Sequence, residues 1–81
     1  MPYIKQEERK NLDQHLAFAW QDLSAGQMNY MITGLVKRWI GDPSYTKIAT
    51  MTGVLENVKQ EMYRRLASPY EDAKIAENGD V

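Results

Sequence analysis

Few residues in this 81-residue chain have side chains that could carry chemistry. There is no cysteine, which excludes thiol catalysis, disulfides and cysteine zinc sites. His15 is the only histidine. Its neighbours Asp13 and Gln14 do not meet it across one helical face, so it reads as a solvated side chain and not as half of a dyad or metal site. The carboxylates Glu56, Glu61, Glu71, Asp72, Glu77 and Asp80 are the remaining candidates. A helical magnesium-dependent pyrophosphohydrolase binds its metal through acids one helical turn apart, because acids so placed share a divalent ion. Glu56 and Glu61 are five apart, roughly 140° round a helix, and Glu71 and Asp72 are adjacent and diverge. A magnesium site would need acids from several helices. The plainer reading pairs Glu61 with Arg64 or Arg65 and Glu56 with Lys59, and lets Glu71 cap its own helix. No catalytic residue, metal or cofactor is expected.

A second group is basic and aromatic. Lys59, Tyr63, Arg64, Arg65 and Tyr70 gather near the end of one helical stretch. Guanidinium groups suit phosphate, and tyrosine suits base stacking or protein hot spots. The same basic residues also complement the negative end of a helix dipole, a purely structural role.

These residues must be positioned by helices, because apolar spacing is helical almost throughout and no stretch alternates as a strand would. Leu12, Leu16, Ala19, Trp20 and Leu23 share one face of a first helix, about 5–23, either continuous or broken near 11–13, where Asn11 and Asp13 favour caps. Ser24 with Gln27 forms a capping box for a second helix, 26–40, whose stripe is Met28, Ile32, Leu35, Val36, Trp39 and Ile40. Gly41 suits its C-terminal cap and Pro43 the first position of the next helix. Ile48, Met51, Leu55, Val58, Met62 and Leu66, spaced 3, 4, 3, 4 and 4, form the seam of a third helix, 44–67. Gly53 inside it marks a close neighbour or a kink. Ser68-Pro69-Tyr70-Glu71 reads as a capping box opening a last helix, 69–77, ended by Asn78-Gly79. Short connections predict antiparallel packing. The expected fold is all-α: one domain over 1–81, three main helices and a short C-terminal one.

Composition bounds the function. Apolar residues at 43% and charged residues at 26% are ordinary for a globular chain. A net charge of −1 supplies no basic field, which disfavours general nucleic-acid binding. The N-terminus turns charged within a few residues, unlike a secretory signal. The apolar run Leu16-Ala17-Phe18-Ala19-Trp20 is far short of the ~20 residues that span a bilayer. A cytoplasmic protein that does not enter membranes is expected. A chain this short without cross-links must pack its helices well or oligomerise. Phe18, Tyr30 and Val54 lie off their main stripes and Tyr45 at a helix entrance, which suggests a second apolar face and self-association.

Several stretches resemble one family. They are Met1-Pro2-Tyr3-Ile4, Leu12-Asp13, Asn29-Tyr30-x-Ile32-Thr33, and Gly53-Val54-Leu55-Glu56-x-x-Lys59-x-Glu61-x-Tyr63-Arg64-Arg65. The ending Pro69-Tyr70-Glu71-Asp72-x-Lys74-Ile75-x-Glu77-Asn78-Gly79-Asp80-Val81 is the most specific. Together they look like a family of short uncharacterised helical proteins common in tailed bacteriophages and prophages. The resemblance implies a phage or prophage origin and a host-cytoplasmic location, and no activity. The family pattern has proline near residue 14, where Gln14 stands here. Its polar positions map onto Asn29, Tyr30, Glu56, Lys59, Glu61, Tyr63, Arg64, Arg65, Tyr70, Glu71, Asp72 and Lys74. These are candidates for a shared binding site or for a polar network. In the network reading, Ser68-Pro69 turns the chain back so that Tyr70, Glu71, Asp72 and Lys74 lie beside Tyr63, Arg64 and Arg65.

Three functions compete on this reading. The foremost is a non-enzymatic phage accessory module that binds a host or phage protein. The second is an oligomeric sponge for a phosphate-containing nucleotide, held by Lys59, Tyr63, Arg64, Arg65 and Tyr70. The third is the magnesium-dependent nucleotide pyrophosphohydrolase.

Overall fold

The computed structural model describes residues 4–80. Met1, Pro2, Tyr3 and Val81, which open and close the family-like stretches, lie outside the described residues. Among those described every regular element is helical, as an all-α fold requires. None of the helices is long and apolar enough to cross a membrane. Packing divides the chain at Gly41/Asp42 into two units.

The first unit opens with α1, Gln6–Asp13. Asn11 and Asp13 do not break it. The helix runs through both and tightens into a 3-10 turn, Gln14–Leu16. The break comes later, at Ala17 (φ −78°, ψ 63°) and Ala19 (φ −77°, ψ 65°). Both alanines stand at the centre of inverse γ-turns: Phe18 N–H donates to Leu16 O at 2.8 Å and Trp20 N–H to Phe18 O at 2.8 Å. Alanine is the best helix former, so propensity alone does not explain this. The side chains around it do. Trp20 Nε1–H donates to Leu16 O at 3.0 Å, and its ring meets Phe18 at 4.8 Å and 60°. A second 3-10 turn, Trp20–Asp22, completes the knuckle. The stretch expected as a first helix over 5–23, open to a break near 11–13, is therefore one α-helix and two 3-10 turns. His15 sits exposed in the first of these turns.

Helix α2, Ala25–Ile40, begins on the capping box as predicted. Gln27 N–H donates to Ser24 Oγ at 3.1 Å, and Ser24 N–H donates to Gln27 Oε1 at 2.9 Å. It ends at Gly41, whose φ of 59° with ψ −120° is a conformation that side chains disfavour.

The second unit is one continuous helical rod. Pro43 is not the first helical residue, because the next one caps better. The Ser44 side chain accepts from Lys47 N–H at 3.2 Å and α3 runs Tyr45–Met62. Gly53 has no neighbour that a Cβ would touch within 4 Å, so the close approach expected there is absent among the described residues. Ser68-Pro69 do not turn the chain back as expected. Residues Tyr63–Ala67 form a π-turn and α4, Ser68–Asn78, continues from it. Met62, Tyr63, Ala67 and Ser68 all keep right-handed helical angles. Proline inside a helix lacks a donor and its ring meets the carbonyl four residues back. The wider i→i+5 turn relieves that conflict. Ser68 makes no side-chain cap, so the predicted box with Glu71 does not form. Asn78-Gly79 end the helix as expected, with Gly79 at φ 84° and its N–H on Ile75 O at 2.7 Å.

No described residue of either unit is buried. The predicted apolar stripes exist but are only partly covered: Trp20, Leu23, Met28, Val36, Ile40 and Met51 are half-buried, whereas Leu16 is 64% exposed and Leu35 63%.

Candidate functional site

Asn29 and Tyr30 lie on α2 in the first unit. Asn29 Oδ1 accepts from Thr33 Oγ1 at 3.3 Å, so its side chain is spent on its own helix. Tyr30 is 79% exposed. It borders a concavity of about 490 Å³ shared with Gly34, Lys37 and Arg38. All of its lining comes from one helix, so it is an open notch and not an enclosed pocket. Arg38 Nη1–H donates to Gly34 O at 3.3 Å. A Cβ on residue 34 would come within 3.2 Å of that guanidinium, so glycine lets it fold down. Sequence reasoning missed this pair, although a glycine four residues before an arginine was its visible signal.

The other candidates are strung along the rod of the second unit. Glu56 pairs with Lys59 at 3.8 Å and accepts from Gln60 Nε2 at 3.4 Å. Glu61 is the hub. It accepts from Arg64 Nε at 3.1 Å and Nη2 at 3.0 Å, and from Arg65 Nε at 2.6 Å. The Arg65 hydrogen bond is the largest influence on the Glu61 carboxyl. Desolvation opposes it, the Arg64 hydrogen bond and the two positive charges add to it, and the carboxyl is held below the usual carboxylate range. Both guanidinium groups are thereby engaged, and a phosphate would have to displace Glu61 from them.

Beyond the π-turn, Lys74 lies 5.7 Å from the Tyr70 ring centre and 3.5 Å from Glu77. Because α3 and α4 are continuous, Tyr70, Glu71, Asp72 and Lys74 do not fold back beside Tyr63, Arg64 and Arg65. At ~1.5 Å rise per residue, Glu61 and Glu71 stand roughly 15 Å apart along the axis. The expected polar network across a turn is replaced by local pairs one helical turn long. Glu56, Glu61, Glu71 and Asp72 cannot be gathered by this helix around one ion with ~2.1 Å bonds. Among the described residues no three acids or histidines stand close enough to hold a metal.

The most extensive feature is apolar. Phe18 (57%) and Trp39 (55%) in the first unit, and the stripe from Ile48 to Leu66 in the second apart from half-buried Met51, are exposed. Aromatic and large aliphatic side chains displayed this way suit recognition of another protein.

One protein-family model, described as Domain of unknown function (DUF6899), matches residues 1–81. No curated protein and no solved structure matches the chain.

Proposed function

The chain belongs to this family of small proteins of unknown function, and from that premise we propose that it is a non-enzymatic helical interaction module. It would act as a phage or prophage accessory protein that binds a host or phage protein in the bacterial cytoplasm. The observation that carries this reading is the uncovered apolar surface. Leu12, Leu16, Phe18, Leu35 and Trp39 are all more than half exposed on amphipathic helices and on the γ-turn knuckle. Uncovered surface of this kind marks association sites. The phage assignment draws on the sequence resemblance, above all on Pro69-Tyr70-Glu71-Asp72. The polar candidates support binding less directly, since Glu56, Glu61 and Lys74 are committed to neighbours on their own helix.

Affinity capture from host lysate tests the proposal, with Phe18→Ser and Trp39→Ser as paired variants. Wild-type protein should retain at least one protein in near-stoichiometric amount, and one or both variants should lose it. Retention of nothing, or retention unchanged by both variants, would contradict the reading.

A further inference from the structure

The second unit carries an apolar seam whose register depends on its one irregularity. Ile48, Met51, Leu55, Val58 and Met62 repeat at alternating spacings of three and four, the 3.5-residue period of a seam that packs against another helix. Past Met62 a plain α-helix would carry the stripe off line. Leu66 would drift and Tyr70 would lie roughly a quarter turn away. The π-turn at Tyr63–Ala67 takes up one extra residue and cancels the drift. Leu66 and Tyr70 then continue the same stripe. The next positions of the same alternation are Ala73 and Glu77, and Glu77 pairs with Lys74 at 3.5 Å, so the seam ends in charge.

We infer that this seam, Ile48 to Tyr70, is the contact surface of a homodimer and that the π-turn is the device that sets its length. Three observations argue for a second copy. The stripe is narrow and keeps a three-and-four spacing from Ile48 to Met62, resumed past the π-turn, a pattern completed by an identical stripe rather than by a broad pocket. Its residues are open: apart from half-buried Met51 they range from 41% exposed at Leu55 to 67% at Leu66. It runs about 33 Å, a length over which two helices approach the ~800 Å² per partner of a standard interface. This deepens the interaction reading by assigning one of its surfaces. It uses none of Leu12, Leu16, Phe18, Leu35 or Trp39, so either claim can fail while the other stands.

The chain has no cysteine, so one introduced cysteine gives a clean readout. Val58 sits one residue from the middle of the seam, facing its counterpart in a parallel pair and lying beside the crossing point of a centred antiparallel one. Val58→Cys should form an intermolecular disulfide under mild oxidation. Asn57→Cys, roughly 140° round the helix from the middle of the seam, should not. Sedimentation equilibrium of the full chain should give twice the monomer mass, and Leu55→Glu should weaken association about thirtyfold or more. Pro69→Ala, which lets the π-turn revert to α-helix, should weaken association while helicity rises. Deleting Ala67 in the Pro69→Ala background removes the extra residue and should restore it. A monomeric wild type, cross-linking at residue 57 as readily as at 58, or equal association of the Pro69→Ala chain with and without Ala67 would overturn the inference.

Discussion

The two units treat helix-breaking signals in opposite ways. The second contains Ser68-Pro69, where a helix would be expected to end and another to begin, and its helix passes straight through by widening one turn. The first has no proline between Ile4 and Ile40. It breaks at Ala17 and Ala19, where the residues themselves favour helix. The difference shows what decides continuity. A missing donor and a ring clash are local and can be absorbed by a single π-turn. A tryptophan that hydrogen-bonds the carbonyl four residues back, and packs against a phenylalanine, holds a γ-turn pair that no propensity would choose.

The contrast can be broken most directly at Trp20. Trp20→Ala removes the indole donor and the ring contact, and should destabilise the first unit by about 2 kcal/mol in urea unfolding followed by circular dichroism. Trp20→Phe keeps a ring and should lose about half of that. If neither variant shifts the transition, the knuckle is not held by the indole. Gly41→Ala should have a similar or slightly smaller effect, about 1–2 kcal/mol, because alanine is strained at its positive φ. Gly53→Ala, in the regular part of the rod with open space around it, should instead stabilise by up to about 1 kcal/mol. That opposite sign would sharpen the distinction between a glycine that ends a helix and one that merely sits in it. Ser24→Ala removes the capping-box acceptor and should lower thermal stability by about 1 kcal/mol.

The smallest expected effect is pH dependence at Glu61. Its carboxyl is held below the usual range, so its contribution is complete above the ordinary carboxylate pKa and is lost as pH falls through the lowered value. The helical signal of the second unit should weaken on acidification in that window, and Glu61→Gln should remove that part of the response. An unchanged acid titration in Glu61→Gln would show that the arginine pair contributes nothing measurable.

Much of the helix-end chemistry was legible in the sequence because it is local. Ser24 with Gln27, Gly41 and Gly79 act where their types and spacing place them. The partners of Glu61 and Glu56 were legible for the same reason, as side chains three and four apart share a helix face. The γ-turn knuckle was not, because its determinant is one indole bond amid helix-forming residues. Nor was the continuity through Ser68-Pro69, since Ser-Pro-x-Glu looks the same whether or not the preceding helix continues. That single misreading also produced the expected network of Tyr70, Glu71 and Asp72 against Arg64 and Arg65, which a straight rod cannot make. The seam at Ile48–Leu66 was visible from spacing, whereas its extension to Tyr70 required knowing that one residue is absorbed on the way.

Hydrogen exchange of the full chain at low and high protein concentration tests most directly whether the second unit's rod is completed by association. Amides between Tyr45 and Asn78 should gain protection as concentration rises, most of all around Val58 and Met62. Protection of that rod that stays the same at every concentration would contradict completion by association.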